Sequence, residues 1–390
     1  MKRIVYLFIL IHCILIPVST LAEPEESAPE ISFDEGIESW MEELNLPKWQ
    51  DRFSELPGEV RSMFGISSVK DFIRGYAEEG RVGGDSGFIG LKQWMLSLFR
   101  SGLNSLSYFL SLALLSGLLQ GVSGKDSVGG GEAAGFFLRC LALLGALTLY
   151  VQAAGELWKV MEKSAEFLEV AFPALLLLLT AVGGTASSTA LQPAALLLSG
   201  TIAGGIRSVI MPLALLGGIS GMLDKLFSKS RMQELSKLLT KTAKWMMGIV
   251  STIFIGSTSI RGLAAASFDS VTLRSAKYAA GSLLPVVGGM VSGTMDTMLG
   301  CAVLVKSGAG IAAFLIICAT VLTPLAKAAC TVLIFRTTAA FSQPLGDGRL
   351  SALAAAAADG MSLLMGITIG ASLVFLSLIT ILILIGNAGL

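Results

Sequence analysis

Apolar runs long enough to cross a bilayer recur through most of this chain, and they constrain its fold more than any other feature. A helix needs about 20 predominantly apolar residues to cross the hydrocarbon core. Inside lipid its backbone groups have to be paired within the protein. The runs fall at about 103–122, 136–154, 170–186, 190–206, 208–223, 246–266, 311–335 and 360–386, with a more ambiguous one at 281–305. Only 14% of the 390 residues are charged, against about 25% in soluble domains. The pattern predicts an all-α, polytopic helical membrane protein with about seven to eight membrane segments. Two of the runs within 170–223 are short, so one of them could be re-entrant.

Charge divides the chain. Residues 23–85 hold sixteen Asp/Glu against six Lys/Arg, whereas residues 86–390 hold twelve against twenty. Basic residues stay preferentially on the cytoplasmic side, so the acidic segment is expected outside. Residues 1–22 read as a signal peptide: Lys2 and Arg3, an apolar run from Ile4 to Val18, then Thr20-Leu21-Ala22 as a small-x-small cleavage site. Residues 23–85 then form a small acidic extracytoplasmic helical domain, and residues 86–390 the polytopic membrane domain. In the acidic part, Ile37, Trp40, Met41 and Leu44 share one helical face, and Trp49, Phe53 and Leu56 predict a second short helix. Ser68 is placed to cap a third helix that stops at Gly80. A core this small is marginal alone, so these helices should pack on the membrane domain or on a partner, with Trp and Phe inward. Residues 80–90 form a glycine-rich linker.

Two charged segments punctuate the membrane domain. Residues 155–169 carry Glu156, Lys159, Glu162, Lys163, Glu166 and Glu169 at helical spacings and read as a solvated helix end at the outer face. Residues 224–247 read as a basic, amphipathic cytoplasmic helix, started by Ser230 and Gln233. It sets Leu235, Leu238, Leu239, Thr242 and Met246 opposite Lys237, Lys241 and Lys244. Such a face suits anionic membrane lipid or a cytoplasmic partner.

Chemistry is sparse. The sole histidine, His12, lies in the signal, which removes imidazole-based catalysis from the mature chain. The cysteines at 13, 140, 301, 318 and 330 form no C-x-x-C pair and read as buried hydrophobes. No phosphate-binding loop occurs, so any ATPase is a separate subunit. Pro344-Leu345-Gly346-Asp347 is similar to the aspartate motif of intramembrane proteases but lacks its first glycine and a partner aspartate. The chain is expected not to be an enzyme and to need no cofactor, metal or nucleic acid.

The stretch 281–310 stands apart. It is apolar yet rich in glycine, and it contains Pro285, Asp296 and Lys306. Small residues let membrane helices approach closely, so Pro285, Gly288, Gly289, Gly293 and Gly300 are expected at a helix packing site or hinge. Intramembrane charges usually face a bundle interior or an aqueous path. Asp296, Lys306 and Lys327 are therefore candidates for a polar path or a buried ion pair.

Four features, VKDFIRGYAEEG, QWMLSLFRSGLNSLSYFL, the leading signal and above all YAAGSLLPVVGGMVSGTMDTMLGCAVLVKSGAG, resemble the stage III sporulation protein AE family. The specific part is Pro285–Gly289 with Asp296–Cys301. The resemblance implies a multi-pass protein of the mother-cell membrane around the engulfed forespore, its N-terminal domain in the intermembrane space. It implies membership of a transenvelope channel, a secretion-like or feeding-tube complex, needed for endospore development and late forespore gene expression. The implied partners are the other stage III A operon membrane proteins, a separate ATPase subunit, membrane lipid and, indirectly, the forespore stage II protein Q. A structural scaffold that conducts nothing, or an autonomous secondary transporter, are the alternatives.

Overall fold

The computed structural model describes residues 41, 46–56, 58, 61, 68–79, 102–118, 130–226, 232–283, 288–345 and 347–385. The expected signal at 1–22, the capping pair Ser32–Glu35, the linker at 80–90, Pro285 and Ser230 lie outside the described residues. So do the side chains of Gly288, Gly289, Gly293 and Asp296, whose backbone is helical.

Two short helices come first, α1 (Leu46–Ser54) and α2 (Val69–Glu79). Pro47 sits in the first turn of α1, where its missing N–H costs nothing. Ser68 precedes α2, and its Oγ accepts the Lys70 N–H at 3.2 Å, the cap expected from sequence. The apolar helix α3 (Gly102–Leu118) follows. Five long apolar elements then complete the chain: α4 (Gly130–Ala181), the element Thr185–Leu226, α7 (Gln233–Leu283), α8 (Gly288–Ser342) and α9 (Gly348–Leu384). Within Thr185–Leu226, α5 (Thr185–Leu196) and α6 (Met211–Leu226) are joined by two π-helical turns, Leu197–Ile202 and Ile206–Ile210.

Helix α9 is the centre. Its most apolar stretch has mean hydropathy 2.6 and is 61% buried, whereas that of α7 is only 22% buried. Helix α8 runs antiparallel to α9: Arg336 pairs with Asp359 at 2.6 Å near one end, and Lys306 meets Ile383 and Ile385 at the other. Helix α7 runs parallel to α9, since Gly370 lies against Met247 and Gly262 against Ile381. The outer face of α7 leaves Ile253, Ile260, Leu263 and Phe268 exposed, a surface suited to lipid.

The division into helices differs from the seven to eight segments expected. Among the described residues there are five long apolar elements plus the shorter α3. The expected spans at 136–154 and 170–186 are one helix, α4, because the charged segment between them stays helical. The runs at 190–206 and 208–223 join through π-turns, and the basic segment 224–247 is not a separate helix. From Gln233 it continues without a break through the expected span 246–266. The final span, expected at 360–386, forms the uncharged part of α9.

Glycine acts here mainly through close approach. A Cβ built on Gly360 of α9 would lie 2.9 Å from the Cα of Gly218 on α6 and 3.2 Å from Tyr150 Oη on α4. Three helices therefore meet at one point. Further along α9, Gly370 faces Met247, whereas Gly366, one turn earlier, faces open space. Gly360→Leu is expected to destabilise the fold by about 1–3 kcal/mol through overpacking, and Gly366→Leu by much less. Thermal unfolding of both variants in detergent checks this, and equal melting temperatures would contradict it.

Candidate functional site

Apart from Glu132 and Arg139 near its start, the charges of α4 fall in its middle, between apolar stretches at 140–155 and 170–181. Glu156, Lys159, Lys163 and Glu166 repeat at intervals of three and four, which sets them along one helical face. That face is met by distant elements. Lys327 of α8 pairs with Glu156 at 3.1 Å, and Arg207, from the second π-turn, pairs with Glu162 at 2.7 Å. The N-terminal helix contributes as well: Glu55, just past α1, accepts from Lys163 at 2.9 Å, and Arg52 donates to Glu166. Trp49 seats beside them, fully buried, with its ring edge-on to Phe167 at 5.5 Å. The result is a belt of paired charges partway along an otherwise apolar bundle.

A cavity of about 240 Å³ with a mixed lining lies beside the belt: Glu55, Glu156, Lys159, Lys163, Thr320 and Thr323 contribute to it, and so do Leu56, Val160, Phe167 and Ile316. Pro324 lies at its edge and supplies no N–H, so the carbonyl one turn earlier, that of Thr320, loses its helical donor. Thr323 Oγ1 is buried without a protein partner. Buried polar groups of this kind are commonly satisfied by ordered water.

The candidates taken from sequence have separate fates. Lys327 is in the belt, about half exposed like its partner Glu156 (47% and 44%). Lys306 is not. It is 2% exposed, and its ammonium donates to the carbonyls of Ile385 and, at 3.4 Å, Ile383. It thereby satisfies the orphan carbonyls that end α9, the favourable place for a cation. Asp296 and Lys306 both belong to α8, ten residues or about 15 Å of helix apart, and the Asp296 side chain lies outside the described residues. Gly300 has nothing within 4 Å of its built Cβ. Lys237, Lys241 and Lys244 are exposed near the start of α7. Asp347, the aspartate of the protease-like tetrapeptide, is the N-cap of α9. It accepts the Leu350 N–H at 3.0 Å and the Ser116 hydroxyl, with Arg139 at 3.7 Å.

Sequence reasoning found the belt's α4 charges but read them as a solvated helix end, and it missed Arg207. The signal available was continuity: no glycine or proline separates Glu156 from Glu169, and helical spacing carries straight through.

The family model for stage III sporulation protein AE matches residues 67–386, which include every belt residue of the membrane bundle. The chain belongs to the stage III sporulation protein AE family. Over 242 residues it is 28% identical to the stage III sporulation protein AE of Bacillus subtilis (strain 168), a match covering 62% of this chain and 61% of that protein. No solved structure matches. As a member of the AE family with several long apolar helices, the chain is a membrane-type helical protein of sporulation.

Docking of α1 has a pH dependence. The Lys163 ammonium holds the Glu55 carboxyl below its ordinary value of 4.5, against the desolvation that would raise it. A depressed carboxylate stabilises the docked state above its unfolded value and loses that contribution as pH falls through the folded value. Hydrogen exchange of residues 46–56, corrected for intrinsic rate, should stay slow from pH 8 to 5 and quicken below about pH 4. Unchanged protection at pH 3 would contradict the pairing.

Proposed function

We propose that this AE-family protein is the integral-membrane part of the mother-cell-to-forespore channel complex, and that the charged belt lines its hydrated path. One observation supports this above others. The belt charges are half exposed at mid-bundle, where lipid cannot solvate them. Either water or a partner subunit has to cover them, and the buried, unpartnered Thr323 hydroxyl in the cavity beside Pro324 favours water. In this arrangement the acidic N-terminal helices stay docked beside the belt. The basic start of α7 faces the mother-cell cytoplasm. The other stage III A proteins complete the conduit, the forespore stage II protein Q joins it across the gap, and a separate subunit supplies ATP hydrolysis.

The test is a charge exchange in sporulating cells. Lys327→Glu sets two carboxylates together and should lower late forespore gene expression by about tenfold or more while the protein still accumulates. Combining it with Glu156→Lys restores an opposite pair and should recover most of the expression. Loss of protein or of complex recovery in the single variant would favour the scaffold instead. Normal expression in the single variant would contradict the conduit role of the belt.

A further inference from the structure

A second polar region lies away from the belt, at the hairpin joining α6 to α7. There a cleft of about 560 Å³ opens between the end of α6, the start of α7 and the first half of α9. Lys225, Lys237 and Lys244 line it, together with Asp224 and Asp359.

Both carboxylates are already neutralised. Asp224, 5% exposed, takes the Lys225 ammonium at 3.2 Å and the Met232 N–H at 3.2 Å. Asp359 is paired with Arg336 at 2.6 Å. The remaining cations are not neutralised to the same degree. Among the described residues Lys237 meets only Glu234, at 2.8 Å, with side chains 58% and 86% exposed, a pair worth little in water. Lys244 has no carboxylate partner among the described residues. The cleft thus offers an excess of positive charge to whatever enters it.

Its position along the bundle narrows the ligand. Asp359 is the last charged residue of α9, and the uncharged run to Leu384 that follows is about 25 residues, or roughly 37 Å, long. The cleft therefore sits where the apolar run begins, at headgroup depth rather than mid-bilayer. The inner wall of the cleft is apolar, formed by Ala356 and Leu363 of α9 with Gly217, Gly218 and Gly360. A free phosphate would use the lysines and leave this apolar wall idle, whereas an amphiphile would use both. Basic pockets between membrane helices hold anionic headgroups in this way.

We propose that this cleft is a discrete site for the phosphate headgroup of an anionic phospholipid, held by Lys237 and Lys244 beside the Asp224–Lys225 pair, with the glycerol and the first acyl carbons against Ala356 and Leu363. The site is independent of the conduit role of the belt. It differs from general attraction of a basic helix to a charged membrane, because Lys241 of the same helix does not line it.

The full-length protein in neutral detergent and phosphate-free buffer is titrated with dihexanoylphosphatidylglycerol, dihexanoylphosphatidylcholine and inorganic phosphate. Native mass spectrometry counts bound lipid, and tryptophan fluorescence reports affinity. Saturable uptake of phosphatidylglycerol at one site is expected, about tenfold or more tighter than phosphatidylcholine or phosphate. The Lys237→Gln/Lys244→Gln double variant, which leaves the buried Asp224–Lys225 pair intact, should weaken it on the order of 30-fold. Lys241→Gln should change it less than about twofold. Equal binding of the two lipids, or a Lys241→Gln effect as large as the double variant's, would overturn the site. Inorganic phosphate binding as tightly as phosphatidylglycerol would overturn the lipid as its ligand.

Discussion

An α-helix rises 1.5 Å per residue, and a bilayer's hydrocarbon is about 30 Å thick. Helices α4, α7 and α8 contain 52, 51 and 55 residues, so each is roughly 75–85 Å long along its backbone. None can lie wholly within hydrocarbon at an ordinary tilt. The rest of the structure follows from this mismatch. Charges are carried in the middle of continuous helices instead of at their ends. The belt on α4 is the largest instance, and the Arg336–Asp359 pair beside the lysine cleft is another.

Buried helix ends create the second demand, because each leaves backbone groups without intrahelical partners. A single side chain answers it at several ends, locally at the start of α9 and from a distant helix at the others. Asp347 caps the start of α9, and Asp269 of α7 accepts the Ala186 and Ser187 N–H groups at 2.8 and 2.9 Å at the start of α5. Lys306 of α8 holds the carbonyls that finish α9. Each sign matches the helix dipole it meets. These ionisable residues inside apolar elements are thus structural, which separates them from the half-exposed belt.

Much of the fold was legible in the sequence, and the failures have a common cause. Apolar length identified a helical membrane protein, Ser68 marked a helix start, and the inward role of Trp49 and Phe53 followed from their spacing. The uncharged part of α9 was bounded to within a few residues. Helix continuity was missed because the charge cluster at 155–169 was taken as a helix end and the one at 224–247 as a separate helix. What sustains the first cluster is not local: Arg52 and Lys327 lie 114 and 171 residues from their partners. The same distance hid the fate of Lys306, whose partner carbonyls are 77 and 79 residues away. The aspartate of Pro344–Asp347 lost its protease-like meaning once its cap was visible.

The account turns on whether water reaches the middle of α4. Spin labels placed singly from Ala133 to Ala181 in liposomes, with collision rates measured against oxygen and a water-soluble nickel chelate, test it directly. The predicted profile has outward positions at 140–155 and 170–181 that favour oxygen, separated by a nickel-accessible zone over 156–169. A profile that favours oxygen without interruption along the whole helix would contradict a hydrated belt.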